Sequence, residues 1–331
     1  MSAPHVRSRL GVMALAALAA YGCTFLRPLD DLEPGPPGVA GAAGAAGAGA
    51  GGASGASGGG ASGVSGASGG GASGASGGGA CPPDMAPARF ADGAPFCIDK
   101  LEASQADYAA FLQDLAGGEP PPRVEFPDGF PFDCEGNESY DPAAGPGGEA
   151  CLALFRPAEA GGRPVTCVDF CDAAAYCAWK GKRLCGRKGG GPLSEKPAPM
   201  ASLPEYDEWF VACAGPAEPL RPFPYGEYAE SVCNIDRPLE GAEDVGSRPG
   251  CRTDAGVFDL SGNVAEWTYA CTADGASPTP RCLVRGGSYR SAVPLGAACT
   301  LPPPTPETGP QSRTALYEER RVDLGIRCCA D

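Results

Sequence analysis

Seventeen cysteines and one histidine set the limits of what this chain can do chemically. The histidine is His5, inside a stretch expected to be removed. Without it there is no Ser-His-Asp or Cys-His nucleophile, no histidine general base and no histidine-ligated metal. The cysteines then carry the question. None stands in a CxxC pair, and Cys167, Cys171, Cys177 and Cys185 are 4, 6 and 8 apart, which is not zinc-ribbon spacing. Setting Cys23 aside leaves sixteen, all between Cys81 and Cys329. An even number suits a closed framework of eight disulfides made in an oxidising compartment. Charge excludes another class. With 25 basic and 40 acidic residues the net charge is −15, so the basic footprint needed for nucleic acid is missing.

Residues 1–22 read as an export signal. His5, Arg7 and Arg9 precede the apolar run Leu10–Tyr21, which is too short to span a bilayer. The run ends Ala20-Tyr21-Gly22-Cys23, small residues before a cysteine, and so resembles a bacterial lipoprotein signal. The resemblance implies that Cys23 is lipidated and becomes the new N-terminus. It also implies an exported, lipid-anchored protein at the outer membrane or cell surface of a Gram-negative-type bacterium, touching the membrane only through its anchor. Residues 23–80 read as a flexible tether of Gly, Ala and Ser. They hold much of the glycine, 21 of 51 falling in residues 35–79 with no aromatic side chain among them, so this stretch cannot bury a core.

Residues 81–331 must contain the elements that position any site. A helix is expected over Glu102–Leu115, with Ser104 as N-cap and Tyr108, Phe111, Leu112 and Leu115 on one face. A second fits Asp169–Lys180, capped by Asp169 and closed at Gly181, with Tyr176 and Trp179 turned inward. A third fits Pro204–Ala214, with proline in the first turn. Residues 116–163 hold Pro120-Pro121-Pro122 and many glycines and read as an irregular insertion. Short strands are expected at Cys282–Arg285 and Leu324–Cys328, and Trp209 and Trp267 in the core. The Pro302–Pro310 run reads as a surface loop.

The order of local phrases is more telling than any single one. Cys97-Ile98-Asp99-Lys100-Leu101-Glu102 precedes the helix bearing Tyr108. Later come Ala175-Tyr176-Cys177-Ala178-Trp179-Lys180-Gly181 and Leu203-Pro204-Glu205-Tyr206-Asp207-Glu208-Trp209. Then follow Gly262-Asn263-Val264-Ala265-Glu266-Trp267, Arg285-Gly286-Gly287-Ser288-Tyr289 and Leu324-Gly325-Ile326-Arg327-Cys328. From about Cys97 to Cys329 this resembles the formylglycine-generating enzyme (sulfatase-modifying factor) superfamily. The resemblance implies a C-type-lectin-like α+β fold, poor in regular secondary structure and here disulfide-rich. It also implies the pairings Cys177 with Cys328 and Cys213 with Cys299.

The family's chemistry does not carry over so directly. Its oxidases hold copper(I) with two cysteines five residues apart, just after the Gly-Ser-Trp/Tyr phrase. Here those positions are Ser291 and Gly296, so copper is not expected. A second branch binds iron through histidines, which the mature chain lacks. Calcium is the ion the resemblance favours. Gly262, Asn263, Val264 and Glu266 stand in one family calcium turn, and Asn234 and Ile235 begin a second site. The alternative is that Asn263 and Glu266 only tie down their turn. Arg285, Ser288, Tyr289, Arg290, Ser291 and Arg327 surround the groove that is active in relatives, although Arg285 and Arg327 more often serve as buried ion-pair anchors in such a fold, which leaves Tyr289 and Arg290 as the better candidates for ligand contact. The leading expectation is a binding or accessory module for a peptide, protein or glycan ligand at the cell envelope. The alternatives are an oxidoreductase or non-haem iron enzyme with an altered site, or a purely structural surface protein.

Overall fold

A computed structural model describes residues 80–144, 148–193, 201–273, 279–291, 295–300 and 314–331. The export signal, Cys23, the tether before residue 80 and the Pro302–Pro310 run lie outside these residues.

Two short four-stranded sheets organise the domain. The first is β1 (Met85–Arg89), β2 (Pro95–Asp99), β8 (Cys328–Ala330) and β3 (Arg183–Leu184), antiparallel throughout. The second has the order β6 (Thr314–Leu316), β5 (Arg281–Arg285), β4 (Ala265–Thr272) and β7 (Leu324–Gly325). Only β7 runs parallel to its neighbour, β4. The expected strand at 324–328 is therefore two strands in two sheets, β7 and β8. They are separated by Ile326 and Arg327, both fully buried.

Helix α1 (Gln105–Ala116) starts three residues later than its periodicity suggests. Ser104 is the cap and accepts from the Asp107 N–H at 3.1 Å. Glu102 and Ala103 stay outside the helix. Tyr108 and Phe111 sink into the main core, where Tyr108 meets Tyr176 at 5.5 Å between ring centroids. That core also holds Phe170, Trp267, Leu324 and Ile326. Helix α4 (Phe170–Trp179) follows its expected span, with Asp169 and Asp172 in a reciprocal capping box. The short α5 (Glu208–Ala214) corrects the third expected helix. Asp207, not Pro204, begins it, accepting from the Phe210 N–H at 3.0 Å. Trp209 and Phe210 pack with Phe96, Ile98 and Leu260 in a second core. The insertion adds two short helices, α2 (Gly148–Leu154) and α3 (Pro157–Ala160), and is otherwise irregular.

All sixteen described cysteines are bridged, in eight disulfides. They pair Cys81–Cys97, Cys134–Cys171, Cys151–Cys167, Cys177–Cys328, Cys185–Cys329, Cys213–Cys299, Cys233–Cys251 and Cys271–Cys282. Both pairings implied by the resemblance are present. On β8 the adjacent Cys328 and Cys329 face opposite ways, as strand residues must. Cys328 lies in the main core and Cys329 in the second. One strand thus cross-links both cores, and each bridge typically adds 2–4 kcal/mol by restricting the unfolded chain. Two further bridges, through Cys134 and Cys151, fasten the insertion to the body.

The same insertion is clamped by buried charge. Arg320 pairs with both Asp169 and Asp172, at 3.0 and 2.8 Å, and donates to the carbonyls of Ser139 and Asp141. Asn137 donates to Asp172 at 2.9 Å. One guanidinium facing two carboxylates leaves an excess negative charge in a buried place. Burial first, and the Asp169 charge second, push Asp172 up to about 8. The unfolded value is near 4, so between about pH 4 and pH 8 the folded chain binds more protons than the unfolded one. Stability from this group is therefore lost as pH rises through that window. Asp172→Asn removes the effect. The wild-type melting temperature, measured against that of the variant, should fall steadily from pH 4 to pH 8, and a constant gap would contradict the assignment.

Candidate functional site

Strand β4 places Glu266 with no exposed surface between α5 and the C-terminal segment. One oxygen, Oε1, accepts from the Arg327 guanidinium at 2.7 and 2.8 Å. The other, Oε2, accepts from Trp209 Nε1 at 2.6 Å. Arg327 spends its remaining donors on the carbonyls of Asp99 and Phe258, at 2.9 and 2.8 Å. A buried ion pair of this kind is tolerable because each nitrogen of the guanidinium and each oxygen of the carboxylate has a partner. Arg285 is likewise buried. It pairs with Asp207, donates to Ser202 Oγ at 2.9 Å, and lies over the Trp209 ring. Arg285 and Arg327 thus serve as buried ion-pair anchors, and both Glu266 oxygens already accept from protein donors.

The turn before β4 is built around Gly262 and Asn263, both at positive φ. Gly262 is required there, since a Cβ would sit 2.4 Å from the Asn234 carbonyl oxygen. The Asn263 N–H donates to that same oxygen at 2.9 Å. Its side-chain amide donates to Glu102 at 2.5 Å, and Glu102 also accepts from the Val264 N–H at 3.0 Å. Asn263 Oδ1 accepts from the Glu243 N–H at 2.9 Å and from the Asn234 side chain at 3.2 Å. The two stretches marked as separate calcium sites, Gly262–Val264 and Asn234–Ile235, therefore meet in one junction. Most of their polar atoms satisfy each other, and Asn234 Oδ1 is buried with no partner among the described residues.

Glu102 is the central residue that pattern reading misplaced. The helical periodicity of Tyr108 onward put it in the first turn of α1, whereas it acts as a buried brace for the Gly-Asn-Val turn. Burial first, then the Asp259 charge, raise its carboxyl well above the usual range. Asp259, also buried, is pushed up to about 6 by burial above all. The only local sign was a glutamate two residues ahead of a helix cap, which says nothing of a partner more than 160 residues away.

The groove segment follows β5. Gly286 and Gly287 reverse the chain at positive φ. Ser288 is buried, with Oγ donating to Asp323 at 2.8 Å, and is a structural tie rather than a groove contact. Ser291 Oγ accepts from the Ser288 N–H at 2.9 Å. The backbone of Asp236 and Arg237 donates to the Ser291 and Tyr289 carbonyls at 3.2 and 2.6 Å. Tyr289 is 7% exposed. The Arg290 guanidinium lies over its ring at 5.8 Å and is the exposed group here. Ser291 is half-buried. A Cβ on Gly296 would stand 2.9 Å from Ser291 Cβ, and one on Gly287 would stand 2.4 Å from the Gly296 carbonyl oxygen. The fold brings positions 291 and 296 together, but as a closed hydroxyl-and-glycine contact.

The described cysteines offer no free thiolate. Copper(I) wants soft thiolates, and every described cysteine is in a disulfide. Carboxylates around Arg327 offer no substitute, because among the described residues no group of three or more His, Cys, Asp or Glu side chains could hold an ion. No helix among the described residues is long and apolar enough to cross a membrane.

Residues 63–331 match the family described as the sulfatase-modifying factor enzyme 1-like domain. Hercynine oxygenase of Mycolicibacterium smegmatis is 28% identical over 186 residues, 55% of this chain and 39% of that protein. Formylglycine-generating enzyme of Bos taurus is 26% identical over 215 residues, 55% of this chain and 50% of that protein. Inactive C-alpha-formylglycine-generating enzyme 2 of Bos taurus is 32% identical over 143 residues, 38% of each. The chain spans half or less of the length of these curated relatives.

The inward role of Arg327 is open to a direct check. Arg327→Met leaves Glu266 buried without its cation and should destabilise the domain by about 3–5 kcal/mol. Denaturant unfolding measures this, and a loss under about 1 kcal/mol would show that the pair is not an anchor.

Proposed function

We propose, from the premise that the chain belongs to the sulfatase-modifying factor enzyme 1-like domain family, that its domain serves as a binding or accessory module. Its ligand would be a peptide, protein or glycan at the cell envelope, with the domain held off a lipid anchor at Cys23 by the tether. One observation carries this reading. Where the oxidases place two thiolates, Ser291 packs against Gly296, and all sixteen described cysteines are already cross-linked. A relative whose name calls it inactive lends the reading company. The surface left for recognition is Arg290 over the Tyr289 ring, beside Ser291. Tyr and Arg are the side chains that most often dominate protein interfaces. Disulfide density supports export.

The decisive comparison is with the oxidase chemistry. Copper-loaded protein incubated with a Cys-x-Pro-x-Arg peptide should yield no aldehyde by mass spectrometry. Aldehyde formed in proportion to bound copper would overturn the proposal in favour of an oxidoreductase with an altered site.

Calcium enters the proposal in a reduced form. Glu266 is occupied by Arg327 and Trp209, so the open donor is Asn234 Oδ1 at the junction with Asn263. Calcium normally takes six to eight oxygens, so the Asn234 and Asn263 side chains would have to turn to receive it. A rise in melting temperature with submillimolar calcium, abolished by Asn234→Ala, is the expected result. No shift up to about a millimolar would remove calcium from the account.

A further inference from the structure

Away from the groove segment, two cavities share a wall formed by Arg123–Pro127 of the insertion. From Pro121 to Pro127 the residues alternate between exposed and half-buried, the pattern of an extended strand. Val124 and Phe126 turn inward against the main core. Yet residues 120–126 make no backbone hydrogen bond among the described residues. This strap is held down by side chains alone, so it can part from the body without breaking a ladder.

Beneath it lies a cavity of about 550 Å³, well within the range of small-ligand sites. Ala174, Ala178 and Phe170, four residues apart along α4, form its floor. Phe126, Leu184, Pro192 and Tyr269 complete a mainly apolar wall. The Tyr269 hydroxyl makes no hydrogen bond among the described residues, leaving one polar group without a protein partner. Cations gather at the rim. Lys182 and Arg183 are neutralised, by Asp84 and Asp99 and by Glu208 and Asp331 respectively. Arg123 and Arg187 have no carboxylate partner among the described residues and stand against one acid, Glu125. Among the lining groups that are not already in an ion pair, two arginines thus face one carboxylate, a local preference for an anion in a chain of net charge −15.

We propose that this cavity binds a single-chain amphiphile with an apolar acyl body and a carboxylate head, the body lying on α4 under the strap and the head at Arg187 and Arg123. The apolar floor supplies affinity through burial, and the arginines select the anion by a charge-assisted contact. The site is separate from Arg290 and Ser291, so it stands or falls independently of the recognition surface proposed above.

The test uses the full chain and the fluorescent probe 1-anilinonaphthalene-8-sulfonate, displaced by dodecanoate or by dodecanol below their aggregation thresholds. Saturable binding of one probe per chain is expected. Dodecanoate should displace it at about fivefold lower concentration than dodecanol, the usual scale of one exposed ion contact. Arg187→Gln, at an exposed side chain, should erase that preference while leaving dodecanol unchanged. Ala174→Trp, which fills the floor, should abolish both, with an unchanged near-ultraviolet circular dichroism spectrum as the folding control. The idea fails on any of three outcomes: no saturable binding, equal displacement by acid and alcohol, or a preference for the acid that survives Arg187→Gln. Should Ala174→Trp not fold, the Arg187→Gln comparison decides alone.

Discussion

The Glu266–Arg327 pair is the interaction on which the rest of the domain leans. It joins β4 to the C-terminal segment, and through Trp209 and the carbonyls of Asp99 and Phe258 it reaches α5, β2 and the loop before the Gly-Asn-Val turn. A fold with so few long helices and strands cannot rely on ladders for rigidity. Buried, fully paired charge does that work instead, and it does so directionally. The same logic recurs at Arg285 with Asp207, while at Arg320 one guanidinium is shared by Asp169 and Asp172. Each arginine ties together segments that are far apart in the chain.

Disulfides extend that logic to the loops. Cys328 and Cys329 lock one strand to both cores, and four other bridges close loops of eleven to eighteen residues in sequence. Sulfur here is spent on holding the chain. At the one place where relatives keep thiolates for metal, the chain instead closes Ser291 onto Gly296, with Gly287 pressed beneath. A cysteine at 296 would have no room without moving the backbone. The domain has the frame of the sulfatase-modifying factor enzyme 1-like family, and positions 291 and 296 in it are in packing contact.

Local signals in the sequence were reliable where the physics is local. Ser104 and Asp169 cap their helices because a side-chain oxygen needs only an N–H three residues on. The start of α5 was misjudged because proline in a first turn is a weak preference, and Asp207 is both a better cap and the partner of Arg285. Glu102 was invisible as a brace, since its partners Asn263 and Val264 come from the far end of the chain. The same holds for the insertion. Its prolines announced irregular chain, but nothing local said that Val124 and Phe126 would face the core over a cavity. For Arg285 and Arg327, the family phrase located them and only their buried partners decided between groove and anchor.

The central claim is that every cysteine after Cys23 is structural. Its most direct test is the intact mass of the protein, produced in an oxidising compartment and purified, under denaturing conditions with a thiol-alkylating agent, before and after reduction. The account predicts that no cysteine after Cys23 is alkylated before reduction and, without alkylation, a gain of about 16 Da on reduction, two hydrogens for each of eight bridges. One or two alkylated cysteines after Cys23, located by peptide mapping and with a correspondingly smaller gain, would mean that thiols are kept for chemistry and would contradict it.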